Sequence, residues 1–375
     1  MDLHRSQVLL GGLSPAAFMR RHWHKKPLLV RQAIVGVVPP LSRAAMFALA
    51  ARDDVESRLI RRDDDGGWHL RQGPLPRRAL PALARPGWTL LVQGVDLHLD
   101  AAHELLVPFG FIPAARLDDV MLSYASDGGG VGPHVDSYDV FLLQVQGRRC
   151  WRIGRLRDAR LREDVPHKML AHFAPEEEWL LEPGDMLYLP PGWAHEGVAV
   201  GGECMTASIG FRAPRAVEVA QALLARLADG LDAGPSPRRY RDPAQTATAV
   251  PGAIPEALQR FGHRALARAL ADPAVVERTL GEWLTEPKAQ VWFEPGRVQN
   301  AGHGVQLDRR TRMAYDTRHI FINGESLRAS GRDARLMQAL ADRRGLDAGA
   351  VRSATREARA QLDEWLASGW LQAHD

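Results

Sequence analysis

The chain has 375 residues, too many for one ordinary core, so two or three domains are expected. With 45% hydrophobic and 25% charged residues it reads as globular rather than disordered, and a net charge of +3 is too small to indicate a nucleic-acid partner by itself. Its two cysteines, Cys150 and Cys204, exclude a disulfide framework and suit a reducing cytoplasm. The N-terminal stretch lacks the apolar core of a secretory signal, and no run approaches the roughly 20 apolar residues of a membrane-spanning helix.

In chain order, "LSPAAFMRRHWHKKPLLVRQ" places Ser14 as an N-cap and Pro15 at the first helical position, with Phe18 and Trp23 packing inward before Pro27 ends the helix. A second helix is expected over about 41–51, followed by the charged turn "RRDDDGG". From about 88 to 212 short apolar runs alternate with Gly and Pro, as in "WTLLVQG", "VFLLQVQG", "MLYLP" and "MTASIGFR", which predicts a β-sandwich or barrel. After Pro214 the texture turns helical. "AVEVAQALLARLADGL" has helical spacing and ends near Gly230, a loop-like segment follows, and two helices are expected between 255 and 285. The last part, "VQLDRRTRMAYD" and "HIFINGESLRA", reads as strands with turn signals, then helices near 333–344 and 353–368, the pattern of a winged-helix unit.

Chemistry concentrates in "GGGVGPHVDSYDVFLLQVQGRRCW", residues 128–151. A strand alternates faces, so His134 and Asp136 point to one side within reach of one cation. His-x-Asp alone is weak, but "GDMLYLPPGWAH" supplies a third ligand: Gly184, Pro190, Gly192 and His195 fall in register with the second motif of cupin barrels. The asparagine usual four residues after that histidine is replaced by Ala199. Two imidazoles and one carboxylate make a facial triad, which favours non-haem Fe(II) and leaves positions open. A structural zinc site would normally take four protein ligands, and neither cysteine lies at ligand spacing.

Along "VFLLQVQGRRCW", Arg149 and Trp151 share a strand face and Arg148 takes the other, towards solvent. Arg149 is expected to return to the metal chamber on the strand neighbouring Asp136, where its guanidinium would clamp a carboxylate through two parallel hydrogen bonds. That is the fixture needed for the far end of a dicarboxylate whose near end chelates iron.

Together, His134-x-Asp136, "GRRCW" and "PPGWAH" resemble the JmjC-type 2-oxoglutarate oxygenases, and "FMRRHWHKKPLLVR" is similar to the start of their ribosomal-oxygenase branch. The bacterial members that hydroxylate an arginine of large-subunit ribosomal protein L-sixteen are similar over nearly the whole length. The resemblance implies an α+β fold: a JmjC domain over 1–212 with a double-stranded β-helix (cupin) barrel at about 88–212, a helical dimerisation region over 213–284 and a C-terminal winged helix over 285–375. It implies Fe(II) held by His134, Asp136 and His195. It also implies 2-oxoglutarate anchored by Arg149, with further contacts from Ser123 and the Val135 backbone, and O2 as the second co-substrate. Thr206 and Ser208 read as ordinary strand packing. Asp127 and Asp139, near the chamber, suit a cationic side chain. The implied activity is β-carbon hydroxylation of an arginine on L-sixteen by a cytoplasmic homodimer, coupled to conversion of 2-oxoglutarate into succinate and CO2.

Three other readings compete. A histidine-directed ribosomal oxygenase would use the same triad. An isomerase or cysteine-type dioxygenase cupin needs no arginine placed for a dicarboxylate. A cupin sensor joined to a DNA-reading winged helix should carry a basic face, whereas residues 281–375 hold 14 Lys and Arg against 13 Asp and Glu. No specific DNA binding is expected.

Overall fold

Ser14 caps the first helix, α1 (Pro15–Arg21), by accepting a hydrogen bond from the Ala17 N–H, and Pro15 opens it at no cost because its missing N–H would have had no helical acceptor. The computed structural model describes residues 2–231, 239–296 and 304–374. These divide into two compact units, residues 1–213 and 214–375.

In the first unit α1 buries Phe18 completely, edge-on to Tyr188 with ring centroids 4.9 Å apart. The chain continues through β1 (Leu28–Val30), α2 (Arg43–Ala50), the hairpin β2 (Ser57–Arg62) and β3 (Trp68–Gln72), β4 (Trp88–Val92), α3 (Asp100–Glu104) and β5 (Leu117–Ala125). Then follow β6 (His134–Val135), β7 (Asp139–Gln146), β8 (Arg149–Arg155), β9 (Glu177–Leu181), β10 (Met186–Leu189), β11 (Trp193–Ala199) and β12 (Cys204–Phe211). An eight-stranded sheet runs β1-β10-β7-β12-β5-β4-β2-β3 and a four-stranded sheet runs β6-β11-β8-β9, with antiparallel pairing throughout. The large sheet therefore begins before residue 88. The charged "RRDDDGG" is the turn of the β2–β3 hairpin, whose many arginines mask the alternation of the inner strand β2 and of the largely exposed edge strand β3.

Strand alternation sorts the side chains into two layers. Leu122, Tyr124, Phe141, Leu143, Tyr188 and Ile209 cover one face of the large sheet and pack under the helices. Val140, Leu142, Trp151, Ile153, Leu187 and Leu189 fill the space between the sheets. On that inner face, polar side chains interrupt the apolar ones at Ser123, Gln144, Arg149, His195 and Thr206, all buried. Burying a polar group costs free energy unless it is paired, so this cluster marks the site.

The second unit has α4 (Ala216–Leu231), α5 (Glu256–Ala269), α6 (Pro273–Thr285) and β13 (Gly304–Leu307). A hairpin region, β14 (Met313–Tyr315), β15 (His319–Ile322) and β16 (Glu325–Arg328), precedes α7 (Gly331–Arg343), β17 (Gly345–Leu346), α8 (Ala348–Ser353), α9 (Arg356–Ala367) and β18 (Leu371–His374). Of the loop expected after Gly230, residues 232–238 lie outside the described residues. Helix α6, which the sequence division groups with the dimerisation region, packs on the β15 hairpin. A Cβ built on Gly281 would fall 2.3 Å from the Phe321 ring, and the Gly324 N–H donates to Thr285 Oγ1 at 3.3 Å. Ile320, Ile322, Met337, Leu340, Leu362 and Trp365 form this unit's core.

Candidate metal and co-substrate site

Strand β6 is two residues long, and the ladder sets His134 directly opposite His195 and Val135 opposite Ala194. Opposed residues share a face, so the two imidazoles meet on the inner side with ring centroids 4.2 Å apart. Asp136 follows at the end of β6, with Oδ2 3.6 Å from His195 Nε2. One ligand atom from each of the three residues lies within 4.8 Å of the other two.

Each imidazole is held from behind. His134 Nδ1 lies 3.0 Å from the Gly132 carbonyl and His195 Nδ1 lies 3.0 Å from the Trp193 carbonyl. Donation from Nδ1–H leaves both Nε2 lone pairs free for a metal. Burial, and next the neighbouring His134, push the His195 pKa down to about 4, so this ring is neutral at pH 7 as a ligand must be. The 3.6 Å gap to Asp136 is too long for a hydrogen bond, and an acceptor nitrogen facing a carboxylate is suited to a cation between them. The residues therefore fit a divalent metal on two nitrogens and one carboxylate, the donor set of non-haem Fe(II). Cys150 and Cys204 take no part in this cluster.

Arg149 opens β8 opposite Ala199, four residues along β11 from His195 and on the same inner face. The strand neighbouring β6 is thus β11 and not the arginine's own, because β7 first carries the chain through the large sheet. Arg149 is only 3% exposed. Its Nη1 crosses to the large sheet and donates to Ser123 Oγ at 2.8 Å and to Thr206 Oγ1 at 3.2 Å. Its Cζ lies 5.2 Å from the Trp151 ring centroid, and its Nε has no partner. Among the described residues no carboxylate pairs with it, and burial lowers its pKa from the ordinary arginine value. A buried cation held by two hydroxyls and lacking a counter-charge is expensive. An anionic ligand that reaches it removes that cost, which is the demand a dicarboxylate co-substrate meets.

Thr206 belongs to the site and not to ordinary packing. It stands opposite both Ser123 and Gln144, accepts from Arg149 and donates to Gln144 Oε1 at 2.9 Å. Neither Thr206 nor Gln144 could be placed from spacing, because their alignment arises from pairing between strands distant in the chain. Ser208 is buried two residues along the same face. Val135 is half-buried in the ladder, and alternation turns its side chain away from the histidines. Arg148 is exposed at the turn.

The two acidic residues expected to meet a cationic side chain are already engaged elsewhere. Asp127 accepts from the Gly201 and Gly202 N–H groups and holds a turn. Asp139 is fully buried, accepts from the Tyr188 hydroxyl at 2.6 Å and pairs with His24 at 2.8 Å, which ties the end of α1 to the barrel.

Comparison with known proteins matches this geometry. A JmjC-domain model matches residues 104–219, and a ROXA-like winged-helix model matches residues 268–372, a span that takes in α6. Over 286 residues the chain is 34% identical to the ribosomal protein uL16 3-hydroxylase of Escherichia coli (strain K12), covering 74% of this chain and 73% of that one. A crystal structure of E. coli YcfD superposes with a TM-score of 0.84 at 28% identity, over 96% of this chain and 98% of that one. A structure of YcfD, described as a ribosomal oxygenase in complex with cobalt and 2-oxoglutarate, superposes at 0.79 with 28% identity over 97% and 99%. Two domains matched in order, a relative aligned over most of both chains and a barrel whose inner face carries the metal donors and an unpaired cation lead to one assignment: the chain belongs to the JmjC-domain ribosomal oxygenases and is a 2-oxoglutarate-dependent dioxygenase.

Proposed function

We propose that this enzyme hydroxylates the β-carbon of an arginine side chain on large-subunit ribosomal protein L-sixteen (uL16), with His134, Asp136 and His195 holding Fe(II) and Arg149 holding 2-oxoglutarate. The observation that carries the co-substrate assignment is the buried, uncompensated Arg149 on the same inner face as the three metal donors. When bound, Fe(II) supplies the O2-dependent oxidation in which 2-oxoglutarate leaves as succinate and CO2 and one oxygen atom enters the substrate C–H bond. The chain supplies placement. Gly132 and Trp193 carbonyls set the histidine tautomers, Ser123 and Thr206 aim the guanidinium, and Leu142, Trp151 and Leu187 keep the chamber apolar so that the charge pair is not screened by water.

The arginine target is supported by the likeness to the uL16 3-hydroxylase across three-quarters of the chain. The near-neutral C-terminal unit favours a protein substrate over a duplex. Residues such as Leu224 on α4 and Leu258 and Leu266 on α5 are exposed apolar groups, which supports a homodimer through these helices. A ribosomal substrate and two unbridged cysteines support residence in the cytoplasm, and among the described residues no helix is long and apolar enough to cross a membrane.

The test is to incubate purified L-sixteen with enzyme, Fe(II), 2-oxoglutarate and O2 and map the modification by fragment-ion mass spectrometry. One added oxygen on one arginine is the expected result. An oxygen on histidine, or succinate formed with no modified peptide, would refute the arginine assignment and leave the oxygenase class standing. Light scattering that returned a monomer at micromolar concentration would refute the dimer.

A further inference from the structure

Strand β6 carries one metal donor and leads into a second, yet it has two residues and lies at the edge of its sheet with a single laddered neighbour. Two ladder positions are a weak hold for a ligand that must stay within about 0.5 Å of its productive place. The backbone that leads into this strand, residues 131–133, meets residues 156–176, the excursion between β8 and β9. This segment folds on itself through a Leu161–Leu170 bridge, with Arg162 N–H to Met169 O at 2.9 Å and Ala171 N–H to Arg160 O at 2.9 Å.

The excursion engages each of the three residues that precede His134. His167 Nε2 bonds the Val131 carbonyl at 3.0 Å, and the Leu170 N–H donates to the Pro133 carbonyl at 2.8 Å. Between them Met169, 2% exposed, occupies the space beside Gly132. A Cβ built on Gly132 would stand 2.3 Å from Met169 Cε, and the backbone there has φ +74°, a conformation that glycine adopts without strain. The Gly132 carbonyl is the group that holds His134 Nδ1. The far end of the excursion is fixed too, since the Glu176 N–H donates to the Ile153 carbonyl at 2.7 Å.

We infer that residues 156–176 form a strap that positions the metal donor His134, with Met169 and His167 as its positioning residues. Neither touches the metal position. They act on the 131–133 backbone, and that backbone sets the imidazole. The inference rests on the metal-site reading given above.

The experiment is a Co(II) titration of the metal-free full-length protein, followed by visible absorption, with thermal unfolding measured on every variant. Met169→Ala is expected to weaken Co(II) binding about ten- to a hundredfold, the usual effect of losing a group that orients a ligand. Met169→Leu, which refills the space, should stay within about threefold of the parent. Met46→Ala empties a comparably buried methionine site in the core under the helices. It should lower the melting temperature comparably and leave Co(II) affinity within about threefold. If Met169→Ala does not fold, His167→Ala carries the same comparison with an expected loss of about three- to tenfold. Unchanged affinity in the Met169 or His167 variant, or an equal loss in Met46→Ala, overturns the strap. A parent protein that binds no Co(II), or a His134→Ala variant that binds it as tightly as the parent, overturns the metal-site reading and the strap with it.

Discussion

Replacing Arg149 with methionine should separate ligand binding from stability, with effects of opposite sign. The side chain is 3% exposed and makes two hydrogen bonds to neutral hydroxyls, and no carboxylate offsets its charge. Those hydroxyls keep other partners when it is gone. Ser123 Oγ retains the Thr206 carbonyl at 3.4 Å, and Thr206 Oγ1 still donates to Gln144. Methionine approximates the stem's volume and removes an unpaired buried charge, so the melting temperature of the ligand-free protein should hold or rise. Binding of 2-oxoglutarate loses a charge-assisted pair worth about 1.5–3 kcal/mol, which is roughly a ten- to hundredfold rise in apparent KM. The assay is succinate release across a 2-oxoglutarate series, with Co(II) affinity and thermal unfolding measured in parallel. Arg148→Met, at the exposed turn, is the internal control. A KM within twofold of the parent, or identical behaviour of the two variants, would refute the assignment of Arg149 as the anion anchor.

The remaining predictions concern the same chamber. His134→Ala, Asp136→Ala and His195→Ala should each abolish succinate release without unfolding the protein, and activity near the parent level in any one removes that residue from the triad. Ser123→Ala and Thr206→Val should each raise the KM for 2-oxoglutarate about two- to tenfold by loosening the guanidinium, and a pure kcat effect in either would point away from co-substrate anchoring. For the metal-free protein, His195 titrates near 4 when folded and near 6.5 when unfolded, so the unfolded chain binds the extra proton in between. Stability should therefore fall as pH drops from about 6.5 to 4, by at most about 3 kcal/mol. Urea midpoints at pH 4.5 and 7 check this, and a His195→Gln variant that lost as much stability as the parent across that window would refute it.

The chemistry was legible in the sequence wherever it depends on residues close in the chain. Ser14 and Pro15 declare the first helix because capping is local. His134-x-Asp136 puts two donors on one face because a strand alternates, and the glycines and prolines around His195 punctuate the turns that set its strand. Arg149 and Trp151 share a face for the same reason, and both are buried. Distances between strands far apart in sequence needed the fold. Only the register of β12 against β5 and β7 places Thr206 between Ser123 and Gln144 under the guanidinium, and only the order β6-β11-β8 separates Arg149 from the Asp136 strand by the one that bears His195. Asp139, three residues after a metal donor, pairs with His24 and Tyr188 because it already belongs to β7 of the other sheet, where it shares the helix-side face with Phe141 and Leu143. The strap over Gly132 is of this tertiary kind. Nothing local ties Met169 to Gly132, and the contact exists because a distant loop folds back onto the backbone that leads into a two-residue edge strand.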